Sequence, residues 1–158
     1  MDRPQSAAMS ADPSQGQRRR WMAALANATF EDLQALALRE PLPDHVALRA
    51  PETGLVMVRG RIGGTGAPFN VGEMTVTRCS VRLADGTIGH GYLAGRNGDH
   101  ARLAAILDAM LQHPDHGLAL FDRVIVPLEM RRDVRLRDRS AKSAATKVDF
   151  FTMVRGDV

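Results

Sequence analysis

Apolar and polar residues change rhythm several times along this chain, and each change marks an element. Between residues 55 and 62, and again between 75 and 83, apolar positions alternate with polar ones, the period of a half-buried strand. Asp85-Gly86 lies between two such runs, and an Asp-Gly pair so placed is the strongest short-range hairpin signal. Pairing Ala84 with Thr87 puts Leu83 opposite Ile88, Val81 opposite His90 and Cys79 opposite Tyr92 on the core face. Arg78, Ser80 and Arg82 then share the other face with Gly89 and Gly91, a shallow positive floor. Upstream, residues 45–50 and 55–62 read as a second hairpin turned at Pro51-Glu52-Thr53-Gly54. Its second strand sets Val56, Val58, Gly60 and Ile62 on one face, with Leu55, Met57, Arg59 and Arg61 on the other. Two hairpins predict a four-stranded antiparallel sheet.

Helical spacing appears on both sides of these strands. From Gln17, Trp21, Met22 and Leu25 share one helix face, and Thr29 caps a second helix with Asp32 at its third position and Leu33, Leu36 and Ala37 inward. Pro41 and Pro43 end this N-terminal helical pair. Asn97 or Asp99 caps a helix over 99–112 whose Leu103, Ile106, Leu107, Met110 and Leu111 repeat at helical period; it is expected to cover the core side of the sheet. After His113-Pro114-Asp115-His116-Gly117 comes a short apolar stretch, 118–128, closed by Pro127. A polar helix is expected over 129–145, then an apolar tail. The fold class is α+β: one domain over 17–158 behind a disordered tail, 1–16, too poor in apolar residues to order itself.

Composition narrows the function. At 158 residues one domain can bury a core without staples. A single cysteine, Cys79, excludes an internal disulfide and any Cys-rich metal or iron–sulfur site, and suits a reducing cytoplasm. No apolar run has the length of a membrane span, and no secretory leader is evident. The net charge is +3, carried almost wholly by arginine, whose planar fork suits carboxylates and phosphates. Aromatics make up 4% of the chain and the arginines are dispersed, so no nucleic-acid partner is expected.

No catalytic constellation shows: there is no Gly-x-Ser-x-Gly and no paired-carboxylate motif. His113, Asp115 and His116 lack metal-site spacing, with Pro114 between them, so no metal is expected. His90 reads as a hydrogen-bonded histidine on the core face, and His100 as exposed. The loop Gly63-Gly64-Thr65-Gly66 could offer backbone N–H groups to a phosphate. It lacks the Lys-Ser/Thr of a phosphate-binding loop and opens no helix, so the preferred reading is a sheet-crossing loop that fits closely against a partner. Arg61 and Arg78 are expected to flank it, and Arg82 extends the positive floor. The tail gathers Phe150, Phe151, Met153 and Val154, with Arg155 and Asp157 as a polar rim. Something must cover that cluster, either its own sheet or a partner.

Several segments together resemble one family. Glu52-Thr53-Gly54-Leu55-Val56, Arg61-Ile62-Gly63-Gly64-Thr65-Gly66, Thr75-Val76-Thr77-Arg78, Val81-Arg82-Leu83 and Asp149-Phe150-Phe151-Thr152-Met153-Val154-Arg155-Gly156-Asp157 are similar, in order, to the PhnG family, the G subunits of the bacterial phosphonate carbon–phosphorus lyase core complex. The resemblance runs from Trp21 to Asp157. It implies a cytoplasmic core complex with subunits H, I and J, associated with the ATP-binding-type subunits K and L. That assembly displaces adenine from MgATP with a phosphonate to give a ribose 1-phosphonate 5-triphosphate, while the later radical chemistry belongs to an iron–sulfur cluster on subunit J. The resemblance puts no catalytic residue and no cofactor on this chain. The alternative is an independent small-molecule or nucleotide-phosphate binder using the glycine loop and its arginines.

Overall fold

The computed structural model of the protein describes residues 13–37 and 41–146. The segment before residue 13 and the tail bearing Phe150, Phe151, Met153, Val154 and Arg155 lie outside the described residues. The elements run α1 (Pro13–Asn27), α2 (Phe30–Ala37), β1 (His45–Arg61), a 3₁₀ turn (Ile62–Gly64), β2 (Pro68–Leu83), β3 (Ile88–Ala94), α3 (Gly98–Leu111) and α4 (Gly117–Leu120). A π-type turn (Phe121–Ile125) then joins α4 to α5 (Val126–Ala145).

The fold is α+β as expected, but among the described residues the sheet has three antiparallel strands in the order β1-β2-β3, not four. The chain does not turn back at Pro51-Glu52-Thr53-Gly54. It continues as one strand, with Glu52 opposite Arg78 and Gly54 opposite Val76. Irregular register between Ala47 and Arg49 and between Arg49 and Glu52 absorbs Pro51, which has no N–H to give a ladder and is tolerated on an edge strand or at a bulge.

The second hairpin forms, in a different register. Leu83 donates its N–H to the Thr87 carbonyl (2.9 Å), so Ala84, Asp85 and Gly86 make a three-residue loop with Gly86 alone at positive φ (89°). Asp85 Oδ1 accepts the Thr87 N–H at 2.8 Å. Val81 therefore faces Gly89, Cys79 faces Gly91, Ser80 faces His90 and Arg78 faces Tyr92. One step of register moves every side chain to the other face. The two glycines lie under α3 rather than on a charged floor, and His90 stands on the open face, exposed. A Cβ on Gly89 would come within 2.0 Å of the Ala105 carbonyl oxygen, and one on Gly91 within 2.1 Å of that of Ala101. Their bare backbone is what lets the helix lie so close to the sheet.

Helix α3 is the axis of the molecule. Asn97 caps it by accepting the His100 N–H at 2.9 Å. One side packs Ala101, Ala105 and Ile106 on Cys79, Val81 and Leu93. The other packs Leu103, Leu107 and Leu111 among Trp21, Leu25, Leu33, Leu36, Val124, Ile125 and Leu128. His100 is buried, not exposed, its Nε2 2.9 Å from the Leu25 carbonyl. Thr29 caps α2 as predicted, accepting the Asp32 N–H at 3.1 Å. Pro127 does not close the apolar stretch. The widened turn at Phe121–Ile125 relieves the clash a proline ring makes with the carbonyl four residues earlier, so helical structure runs from Gly117 to Ala145.

Layer closure rests on a buried carboxylate. Asp108, wholly buried, accepts from Arg18 Nη2 (2.8 Å) and Nε (3.2 Å), from the Trp21 indole N–H (2.8 Å) and from the His90 backbone N–H (2.9 Å). A charge removed from water is tolerated when its lone pairs are satisfied in this way, and here the partners come from α1 and β3.

Candidate partner-binding surface

Strand β3 stops at Ala94, opposite Val76, whereas β1 and β2 run on together from Leu55 opposite Thr75 to Arg61 opposite Pro68. At about 3.3 Å per residue this two-stranded arm reaches roughly 20 Å beyond the core. Leu55, Met57, Val58, Phe69, Val71 and Met74 on it are all exposed, as is Ile62 at its tip, 73% accessible. An isolated two-stranded ribbon is marginal in water, and apolar side chains gathered on such an extension are the mark of a surface that another chain covers.

Side-chain alternation sorts the arm into two faces. Val56, Val58, Gly60, Phe69 and Met74 share the face opposite α3, which is apolar throughout. Gly60 is needed there: a Cβ would sit 2.7 Å from Val71 Cγ2, so the bulged Val71 and Phe69 close over it. Leu55, Met57, Arg59, Arg61 and Glu73 line the other face. The apolar face continues into the uncovered side of the sheet, where Arg78, Ser80 and Arg82 stand beside Ile88, His90 and Tyr92. Ser80 Oγ lies 2.9 Å from His90 Nδ1. A recess of about 320 Å³ between Val56, Val76, Arg78 and Tyr92 marks where the arm leaves the sheet.

The predicted arginine pair is not brought together. Arg78 pairs with Glu52 through Nε, and Arg49 reaches the same carboxylate oxygen at 2.7 Å. These two guanidiniums hold the Glu52 carboxyl below the usual range, the Arg78 bond first. Arg61 lies nine strand positions further along β1, about 30 Å away, and donates to the Gly66 carbonyl of its own loop at 3.1 Å. Gly63 (φ 60°) and Gly64 (φ 79°) take the left-handed backbone of a tight tip, which Gly66 N–H closes onto the Ile62 carbonyl at 2.9 Å. Thr65 completes that tip. Arg82, opposite Val46 and Ile88, lies at the far end of the sheet from the loop. The glycine loop is thus the end of the arm, and Arg61 braces it.

Among the described residues no group of three or more His, Cys, Asp or Glu side chains is placed to hold a metal ion. His113 and His116 stack ring on ring, 4.9 Å between centroids. No helix of the described residues is long and apolar enough to cross a membrane. Cys79 is buried beneath α3; its thiol donates to the Arg49 carbonyl at 3.3 Å, and burial pushes its pKa up.

Residues 16–156 match the family model described as phosphonate metabolism protein PhnG. The chain is also 46% identical, over 153 residues, to the alpha-D-ribose 1-methylphosphonate 5-triphosphate synthase subunit PhnG of Rhizobium meliloti (strain 1021). The match covers 96% of this chain and 97% of that protein.

Proposed function

Because the chain belongs to the PhnG family of phosphonate metabolism proteins, we propose that it works as a subunit of the carbon–phosphorus lyase core complex and carries no catalytic centre of its own. In this reading the assembly displaces adenine from MgATP with a phosphonate, giving a ribose 1-phosphonate 5-triphosphate, in the cytoplasm. Subunits I, H and J are its direct companions, with K and L associated. MgATP is the assembly's substrate, and the iron–sulfur cluster belongs to subunit J. The chain's contribution is to position and cover its neighbours.

The observation that carries this reading is the arm, whose apolar face lies outside the core formed by the described residues. Val58, Phe69 and Met74 keep 36%, 44% and 43% of their surface accessible, and burying that remainder would contribute about 0.5–1.3 kcal/mol each, a useful part of an interface anchor. An independent phosphate binder would need its arginines converging on the glycine loop. Arg61 does lie at that loop, but bonded to the Gly66 carbonyl, while Arg78 is held by Glu52, about 30 Å away along the strand. The tail residues Phe150, Phe151, Met153, Val154 and Arg155 are proposed as a second docking element. The test is co-purification with the neighbouring subunits, using Val58→Asp and Phe69→Asp, with adenine release from MgATP measured with this chain present or omitted. Loss of co-purification with the native melting temperature retained supports the reading. Unchanged co-purification by both variants, or adenine release indifferent to this chain, overturns it.

A further inference from the structure

We propose that the outer edge of β2 between Asn70 and Thr75 takes up an extended segment of another subunit as an added strand, in line with β3. The inference rests on the subunit reading above and specifies how one partner is held. It follows from the state of the sheet's three edges, none of which pairs with a further strand among the described residues.

The edge of β3 is already occupied by side chains of α3 and the residue after it. Asp108 accepts the outward N–H of His90 (2.9 Å) and Gln112 Nε2 donates to the outward carbonyl of Ile88 (2.9 Å). The edge of β1 is interrupted by Pro51 and by the irregular register around Arg49. Further along, Arg59 and Arg61 occupy outward positions, and charged residues and proline are standard means of blunting an edge. The edge of β2 differs. The Gly95 N–H bonds the Thr75 carbonyl at 2.9 Å, and with φ at 96° Gly95 turns the chain off the sheet. That bond shows that the peptide groups of Thr75 face away from β1. By the period of two, those of Glu73 do so too, and beyond the bulge at Val71 those of Asn70, opposite Arg59. These groups form a notch one strand wide where β3 ends, beside the recess between Val76, Arg78 and Tyr92.

Charge decides between a second copy and a different chain. Two copies joined through this edge about a twofold axis centred on Glu73, the middle of the outward groups, would set Glu73 against Glu73, and like charges directly opposite are destabilising. A different chain with a basic residue opposite Glu73 and an apolar side chain in the recess fits both features. Main-chain bonds would supply the affinity and the recess the choice of segment.

The experiment uses the whole assembly, co-expressed and purified through another subunit. Glu73→Pro removes an outward N–H that β1 does not use, so the arm keeps its own ladder; Glu73→Thr keeps the N–H and removes the charge. Strand addition predicts that Glu73→Pro weakens assembly at least about tenfold, the scale of one good hydrogen bond, while Glu73→Thr weakens it less. It also predicts that in the wild-type assembly the Glu73 amide exchanges with solvent at least about tenfold more slowly than in the separate chain. Normal assembly of Glu73→Pro beside failure of Val58→Asp would overturn the added strand and leave the subunit reading standing. Normal assembly of both variants would overturn both. A self-dimer of this chain dissolved by Glu73→Pro would give the edge to a second copy and overturn the inference, as would an unprotected Glu73 amide in the assembly.

Discussion

Replacing Asp108 with asparagine tests how α1, α3 and β3 are held together. The carboxylate takes four donors from three residues; an amide of the same shape offers one accepting oxygen and two hydrogens. If that oxygen stays with the Trp21 indole, the amide nitrogen confronts the His90 N–H, and a buried donor left unpaired costs about 1–3 kcal/mol. Arg18 keeps 34% of its side chain accessible, so water takes over part of its role and its loss counts for about 1 kcal/mol. The sum is about 3 kcal/mol. For a chain of this length that lowers the melting temperature by roughly 6–12 °C. Thermal unfolding followed by circular dichroism measures it. A cycle with Arg18→Ala and the double variant should return a coupling of about 1 kcal/mol. A melting temperature for Asp108→Asn within about 2 °C of wild type, the range of an ordinary surface change, would refute the reasoning.

Gly89→Ala drives a methyl group into α3 backbone and is expected to cost at least the ~3 kcal/mol at the top of the overpacking range. Gly86→Ala meets open space and pays only for positive φ, about 1 kcal/mol, so equal melting temperatures for the two would contradict the close approach of helix and sheet. Arg78→Ala is expected to change stability by less than ~1 kcal/mol, since its ion pair is exposed, yet to weaken assembly measurably in the same pull-down. For Glu52 the folded carboxyl sits below its unfolded value, so its contribution is full above the usual carboxylate range and is lost as pH falls through the depressed value. Wild type should therefore lose, below about pH 4.5, a stability increment over Glu52→Gln that is present at pH 7, read from paired melting curves.

Elements whose pattern is local were legible from the residues. The apolar spacing of α3, the Asn97 and Thr29 caps and the loop at Asp85-Gly86 each answer to neighbours within a few positions. The failures have one physical source: partners distant in sequence. A loop of three residues rather than two moved the register by one, and only contact with α3 shows that Gly89 and Gly91 are small because a helix lies on them. Glu52-Thr53-Gly54 carries turn-forming residues, yet β2 offers a full-length template and β1 pairs straight through. Pro127 looked like a stop because the widened turn before it has no signature in composition. The exposed face of the arm was beyond reach for the same reason. Val56, Val58 and Met74 have the pattern of an ordinary strand, and what distinguishes them is that β3 ends before reaching them.

The single cysteine makes the sheet's closure measurable in time. Cys79 lies where α3 meets the sheet, its thiol kept protonated by burial, and the thiolate is the reactive form. An alkylating reagent in excess can reach it only in molecules whose helix has lifted, so the labelling rate reports how often that layer opens and with what free energy. With no second cysteine in the chain, the trace follows one event. Adding the other subunits would slow the label only if their grip extends from the arm into the body of the protein.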